Sequence, residues 1–177
     1  ANGKHGCKNT IEHIETINPA DIPRFAELDV IASPQPMHLP LEEFEKVSRC
    51  GDERVKWEWP FRSMLDAGCK MAFGTDYPVV DFNPYPSIYA AVTRNFPDGK
   101  PASVNPQECI TLYEALRAYT LGSADVFDRA HELGSIEEGK LADIIAVDRN
   151  LFEVDPSEIN DAKTIMTMVD GRIVYEK

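Results

Sequence analysis

Apolar residues follow two different rhythms along this chain. Over residues 10–95, short apolar runs alternate with amphipathic stretches. TIEHIE (10–15), VIASPQP (30–36) and KMAFGTD (70–76) predict three strands. Between the first two, NPADIPRFAELD predicts a helix with Asn18 as N-cap and Pro19 at its first position. Its apolar face carries Ile22, Phe25, Ala26 and Leu28. LEEFEKVSRCG, closing on Gly51, PFRSMLDAG, closing on Gly68, and PSIYAAVTRN predict further helices. Strand alternating with helix implies β-α units and a parallel sheet.

The second half changes pattern. Thr111 and Glu114 form a T-x-x-E capping box, which predicts a helix over LYEALRAYTLG and a short one near 123–130. Residues 142–147 are rich in β-formers and end at Asp148. In TIMTMVDGRIVYEK, Asp170-Gly171 between two strand-like runs is the chain's strongest hairpin signal. Two regions are expected: β-α units over residues 1–133 and antiparallel strands over 134–177. Three parallel strands are too few to close an eight-stranded barrel, although they suit the end of one.

The 43% hydrophobic content supports a core, and no apolar run approaches the ~18 residues of a membrane span. A formal net charge of −12 argues against nucleic acid as a partner. Cys7, Cys50, Cys69 and Cys109 form no C-x-x-C pair, which excludes a zinc ribbon. They suit reduced thiols in a cytoplasmic protein, with Cys69 as a small core residue.

Three residues with metal-ligand or acid-base chemistry fall near the C-terminal ends of the three predicted strands: His13, His38 and Asp76. Taken singly, a histidine is more often structural, and an aspartate after Gly74-Thr75 more often forms a turn or caps a helix. Their shared edge raises them above those readings, because α/β sheets place active sites there. The chemistry suggested is metal-assisted hydrolysis. With His13 and Asp76 as ligands the set falls short of the usual three, and no H-x-H or H-E-x-x-H pair is present. Arg62 is either a surface residue or a substrate-side cation, and Trp57 and Trp59 suit core or subunit contact.

IEHIETINPADIPRFAELDVIASPQPMH, PFRSMLDAGCKMAFGTDYPV, TLYEALRAYTLGSADVF, LGSIEEGKLADIIAVD and IMTMVDGRIVYEK occur in this order. Together they resemble the C-terminal part of amidohydrolase-superfamily enzymes, closest to the amidohydrolase-3 group of YtcJ-like metal-dependent hydrolases. The resemblance runs from about Thr10 to the end. It implies an α/β fold: the last β-α units of a (β/α)8 barrel, incomplete here, plus strands of a small β-sandwich. It implies hydrolysis of C–N bonds in amides, formamides or cyclic ureides, with a divalent metal, zinc foremost, as cofactor of the full-length enzyme; this chain alone, with two of the ligands, is expected to bind zinc weakly or not at all. His13 matches a metal-ligand histidine. Asp76 matches the metal-binding aspartate that serves as general base and then acid. His38 matches a QPxH position near the substrate. The family's other ligands have no counterpart in residues 1–177, so the chain is expected to be a C-terminal fragment, inactive alone and self-associating. The alternatives are a non-catalytic interaction module and a complementing subunit of a split hydrolase.

Overall fold

The computed structural model describes residues 8–39, 48–96, 98–101 and 105–177. Its first region holds a parallel pair. Strand β1 (Asn9–Glu12) lies beside β2 (Val30–Ser33), with Asn9 opposite Val30 and Glu12 opposite Ser33. The connection follows the predicted signals. Asn18 accepts the Ala20 N–H at 3.1 Å, a 3-10 turn covers Pro19–Asp21, and helix α1 (Ile22–Glu27) follows. Ile22 and Phe25 of α1 are buried in the core.

The third extended run is shorter in pairing than the sequence suggests. Met71 bridges Ala32 in parallel, through Ala32 N–H to Lys70 O (2.9 Å) and Ala72 N–H to Ala32 O (2.8 Å), and the ladder stops there. Beyond it, helical residues supply the partners. Phe73 N–H donates to Ala118 O at 3.1 Å, the Ser123 hydroxyl to Phe73 O at 3.2 Å, and the Tyr119 hydroxyl to Gly74 O at 3.5 Å. A strand pattern thus became an extended segment satisfied by side chains and a helix, which meets the same backbone requirement.

Helices α2 (Asp52–Val55), α3 (Phe61–Asp66) and α4 (Pro84–Thr93) follow in chain order. Gly68 ends α3 at φ +78°, as its C-terminal glycine predicted. The run expected as a helix closing on Gly51 falls largely on residues 40–47, outside the described residues. Helix α5 (Leu112–Arg117) opens with the capping box intact, continues through a π-helical turn over Ala118–Gly122, and leads into α6 (Ser123–Val126).

The second region is an antiparallel sheet in the order β3 (Ile144–Val147), β4 (Thr164–Val169), β5 (Arg172–Glu176). Asp170 and Gly171, at φ +49° and +75°, make the predicted turn between β4 and β5.

The core packs Ala32, Trp59, Phe61, Met64 and Ala91, all fully buried, with Cys69 among them as expected. Trp59 belongs to this core, and Trp57 packs partly buried against it. A row of ring contacts runs from His13 through His38, Trp59, Phe61 and Phe73 to Tyr119, with centroids 5.5–6.3 Å apart. It links the sheet's C-terminal edge to the interior. No helix among the described residues is long and apolar enough to cross a membrane.

Candidate metal centre

His13 stands one residue past β1. Its backbone N–H still reaches Ser33 O at 3.1 Å, but the chain then turns away. His13 and Ile14 are both left-handed, at φ +65° and +59°. Histidine tolerates that region, whereas a β-branched residue there is a genuine outlier. The buried Ile14 side chain holds the turn against the core. Such local strain clusters at functional positions.

His38 stands at the end of a 3-10 turn, Pro36–His38, that follows β2. Its N–H donates to Gln35 O at 2.9 Å. The side chain is 5% exposed, stacked on His13 (5.7 Å, 22°) and edge-on to Trp59 (6.3 Å, 86°). The buried Arg94 donates to Trp59 O at 2.9 Å and Glu58 O at 3.2 Å and fixes the backbone there.

Asp76 ends the third extended run at φ +56°, and its carbonyl accepts the Val79 N–H at 2.8 Å in the following turn. Its side chain is exposed. The bland reading of Gly-Thr-Asp as a turn former is therefore met by the backbone, while the carboxylate stays available.

His13, His38 and Asp76 each offer a ligand atom, and the three atoms lie within 4.8 Å of one another. Neighbours in the sheet at one edge bring together residues up to 63 apart in sequence, from His13 to Asp76. Two imidazoles and a carboxylate form a donor set suited to zinc. His13 Nδ1 supports the fit: it is buried with no hydrogen-bond partner among the described residues. A buried polar atom left that way is costly unless a ligand completes it.

Sequence reasoning did not assign the clamp around the two histidines. Gln35 Nε2 donates to Ser33 O at 2.9 Å and to Glu12 Oε2 at 3.3 Å, which ties the turn bearing His38 to the residue before His13. The signal was Gln35 itself, a polar residue in an apolar stretch, 4% exposed in the fold. Among the described residues, Arg62 is not part of the His13, His38 and Asp76 cluster. It pairs with Glu114 at 2.7 Å and Asp66 at 2.8 Å, in keeping with the surface reading.

The chain matches the amidohydrolase family over residues 1–175. It is similar to the protein LONG AFTER FAR-RED 3 of Arabidopsis thaliana, at 36% identity over 99% of this chain and 30% of that protein. It is also similar to an N-substituted formamide deformylase of Arthrobacter pascens, at 33% identity over 94% of this chain and 31% of that enzyme. Among solved structures, an uncharacterized metal-dependent hydrolase from Pyrococcus horikoshii OT3 superposes with a TM-score of 0.73 at 30% identity, over 85% of this chain and 31% of that one. A variant of atrazine chlorohydrolase TrzN from Arthrobacter aurescens TC1, complexed with zinc and atraton, superposes with a TM-score of 0.65 at 26% identity, over 94% of this chain and 36% of that one. The chain thus spans about a third of the length of these curated relatives. With three candidate ligands gathered at one sheet edge and a family match over nearly every residue, the chain belongs to the amidohydrolase family.

Proposed function

We propose that this chain carries the C-terminal share of a metal-dependent hydrolase of C–N bonds in amides, formamides or cyclic ureides. The observation that carries the reading is the convergence of His13 and Asp76, with His38 beside them, at the C-terminal edge of the parallel segments. The likeness to a formamide deformylase and to a zinc-bound hydrolase supports the bond class and the metal. Residues 1–133 form the last β-α units of the barrel, and residues 134–177 contribute strands to a small β domain.

His13 and Asp76 would hold the ion. A divalent ion of the zinc class lowers the pKa of water toward ~7. Asp76, whose carboxylate is exposed, would accept a proton from the attacking water and return it to the leaving nitrogen. His13 is held in place by its ring contact with His38 and its strained turn. A small-molecule substrate enters beside His38. The three described cysteines are free, which suits a reducing, cytoplasmic setting. Alone, the chain does not turn over substrate, and its exposed edges favour self-association.

Asp76→Asn, placed in the longer polypeptide that supplies the remaining ligands, should abolish hydrolysis of N-substituted formamides, because an amide neither takes nor returns the proton. Near-normal turnover in that variant would remove Asp76 from the role.

A further inference from the structure

The loop that follows Asp76 carries apolar side chains that the metal cluster does not explain. Between Asp76 and α4 the chain reads YPVVDFN, residues 77–83. Tyr77 is 66% exposed, Val79 58% and Phe82 73%. The two rings meet edge to face, with centroids 5.7 Å apart at 71°. We infer that Tyr77, Val79 and Phe82 form an apolar wall that takes an uncharged apolar substituent on the leaving nitrogen of the substrate. The inference rests on the hydrolase reading above and adds to it the side of the substrate that is selected.

A single exposed aromatic needs no explanation, but three large apolar side chains on one short loop, two of them in ring contact, mark a binding surface. The loop is also fixed at both ends. Val79 N–H donates to Asp76 O at 2.8 Å. Asn83 N–H donates to Asp81 Oδ1 at 2.8 Å, and Asn83 Oδ1 accepts the Tyr85 N–H at 3.2 Å as the cap of α4. Residues held in this way lose little freedom when a ligand arrives, which favours binding.

Position selects the occupant. Tyr77 follows Asp76 directly, so their Cα atoms lie ~3.8 Å apart. Asp76 is the group proposed to return a proton to the leaving nitrogen. Whatever that nitrogen carries is therefore brought to the loop, while the acyl carbon is turned toward the attacking water. Charge narrows the choice further. The exposed Asp76 and Asp81 flank the rings in sequence, so a carboxylate on the substituent is repelled and an uncharged chain is not.

The test measures chain-length selectivity in the longer polypeptide that supplies the remaining ligands. A methylene buried completely is worth about fourfold, and one laid against an open wall about twofold. Four added methylenes, from N-ethylformamide to N-hexylformamide, should therefore raise kcat/KM about 15-fold in the wild type, mainly through KM. ω-Formamidohexanoate, with a carboxylate at the chain end, should lose that gain. Tyr77→Ala and Phe82→Ala should each reduce the hexyl-to-ethyl ratio below about fivefold. Tyr77→Phe and Phe82→Leu stay apolar and should hold the ratio within about twofold of wild type. Tyr113→Ala, at an aromatic residue 65% exposed on α5, should not change it. N-Ethyl- and N-hexylmethanesulfonamide, which contain no carbonyl to attack, give the same comparison as affinities by calorimetry.

An unchanged ratio in both alanine variants overturns the wall and leaves the hydrolase reading standing. So does an unchanged ratio with a lowered melting temperature, which would mean that the rest of the polypeptide covers the rings. Loss of the ratio in Tyr77→Phe assigns the contact to the hydroxyl and also overturns an apolar wall. If the wild type turns over no formamide, yet its preference for the hexyl sulfonamide disappears in the alanine variants, the hydrolase reading falls and the wall stands.

Discussion

Glu114 serves two neighbours at once. Its carboxylate accepts the Thr111 N–H and hydroxyl, both at 2.8 Å, and the Arg62 guanidinium at 2.7 Å. Burial pushes its carboxyl up, but the Thr111 and Arg62 hydrogen bonds outweigh burial and hold it below the ordinary carboxylate value. A depressed carboxyl stabilises the fold above its unfolded pKa of ~4.3, and that contribution fades as pH falls through the lower folded value. Glutamine also serves at this capping position. Glu114→Gln should therefore cost up to about 1 kcal/mol at pH 7, and in thermal melts the difference from wild type should shrink as pH falls below the unfolded value of ~4.3 and disappear once pH is below the lowered folded value. A difference independent of pH would mean that the charge is not what matters. At this scale the capping box was legible because it is local in sequence. The partnership with Arg62, 52 residues away, was not, since it needs α3 and α5 packed together. The same limit applied to His38. Its place after a strand was readable, but its stacking on His13 depends on the turn over Pro36–His38.

Among the elements, the extended segment carrying Asp76 depends on a helix more than on a strand. Gly122, at the end of the π-helical turn, lies so close to that segment that a Cβ would sit 2.1 Å from Met71 O and 3.2 Å from Met71 C. The obstacle is backbone, so no side-chain rotation relieves it. Gly122→Ala should destabilise the fold by about 1–3 kcal/mol and lower its melting temperature by several degrees. It should also weaken metal binding by displacing the run toward Asp76. An unchanged melting temperature by circular dichroism would show that the helix and segment separate easily. The helix pattern, the capping residues and the Asp170-Gly171 turn could be read because each is written in adjacent residues. The shortness of the third strand could not. The short apolar run within residues 70–76 reports burial, and burial against a helix produces the same pattern as burial within a sheet.

For the whole molecule, the proposed self-association would rest on strand edges left unpaired among the described residues. Within the described residues β1 pairs with β2 alone, and Ile11 on it is 50% exposed. Beside it, Ile11, Ile14, Phe25, Leu28 and Val30 help line an open groove of about 350 Å³. At the other end of the chain β5 is exposed along its length, including Ile173, Val174 and Tyr175. Unpaired edges with apolar side chains are templates for another strand. The net charge of −12 opposes association, since copies of this chain repel one another. At low ionic strength that repulsion reaches well beyond contact, whereas at 0.1 M salt it is screened within ~10 Å. Apolar contact does not weaken on adding salt and is strengthened by sulfate. Self-association should therefore increase from low to moderate salt, opposite to the behaviour of an interface held by ion pairs. Sedimentation equilibrium at micromolar concentration should show oligomers whose proportion rises with added sodium sulfate. Ile11→Lys places a charge on the β1 edge and should shift the distribution toward monomer without lowering the melting temperature, because half of that side chain is already in water. A clean monomer across the salt series would show that the exposed edges are too short or too twisted to pair. Dissociation on adding salt would assign the contact to charge instead of the β1 edge and its groove.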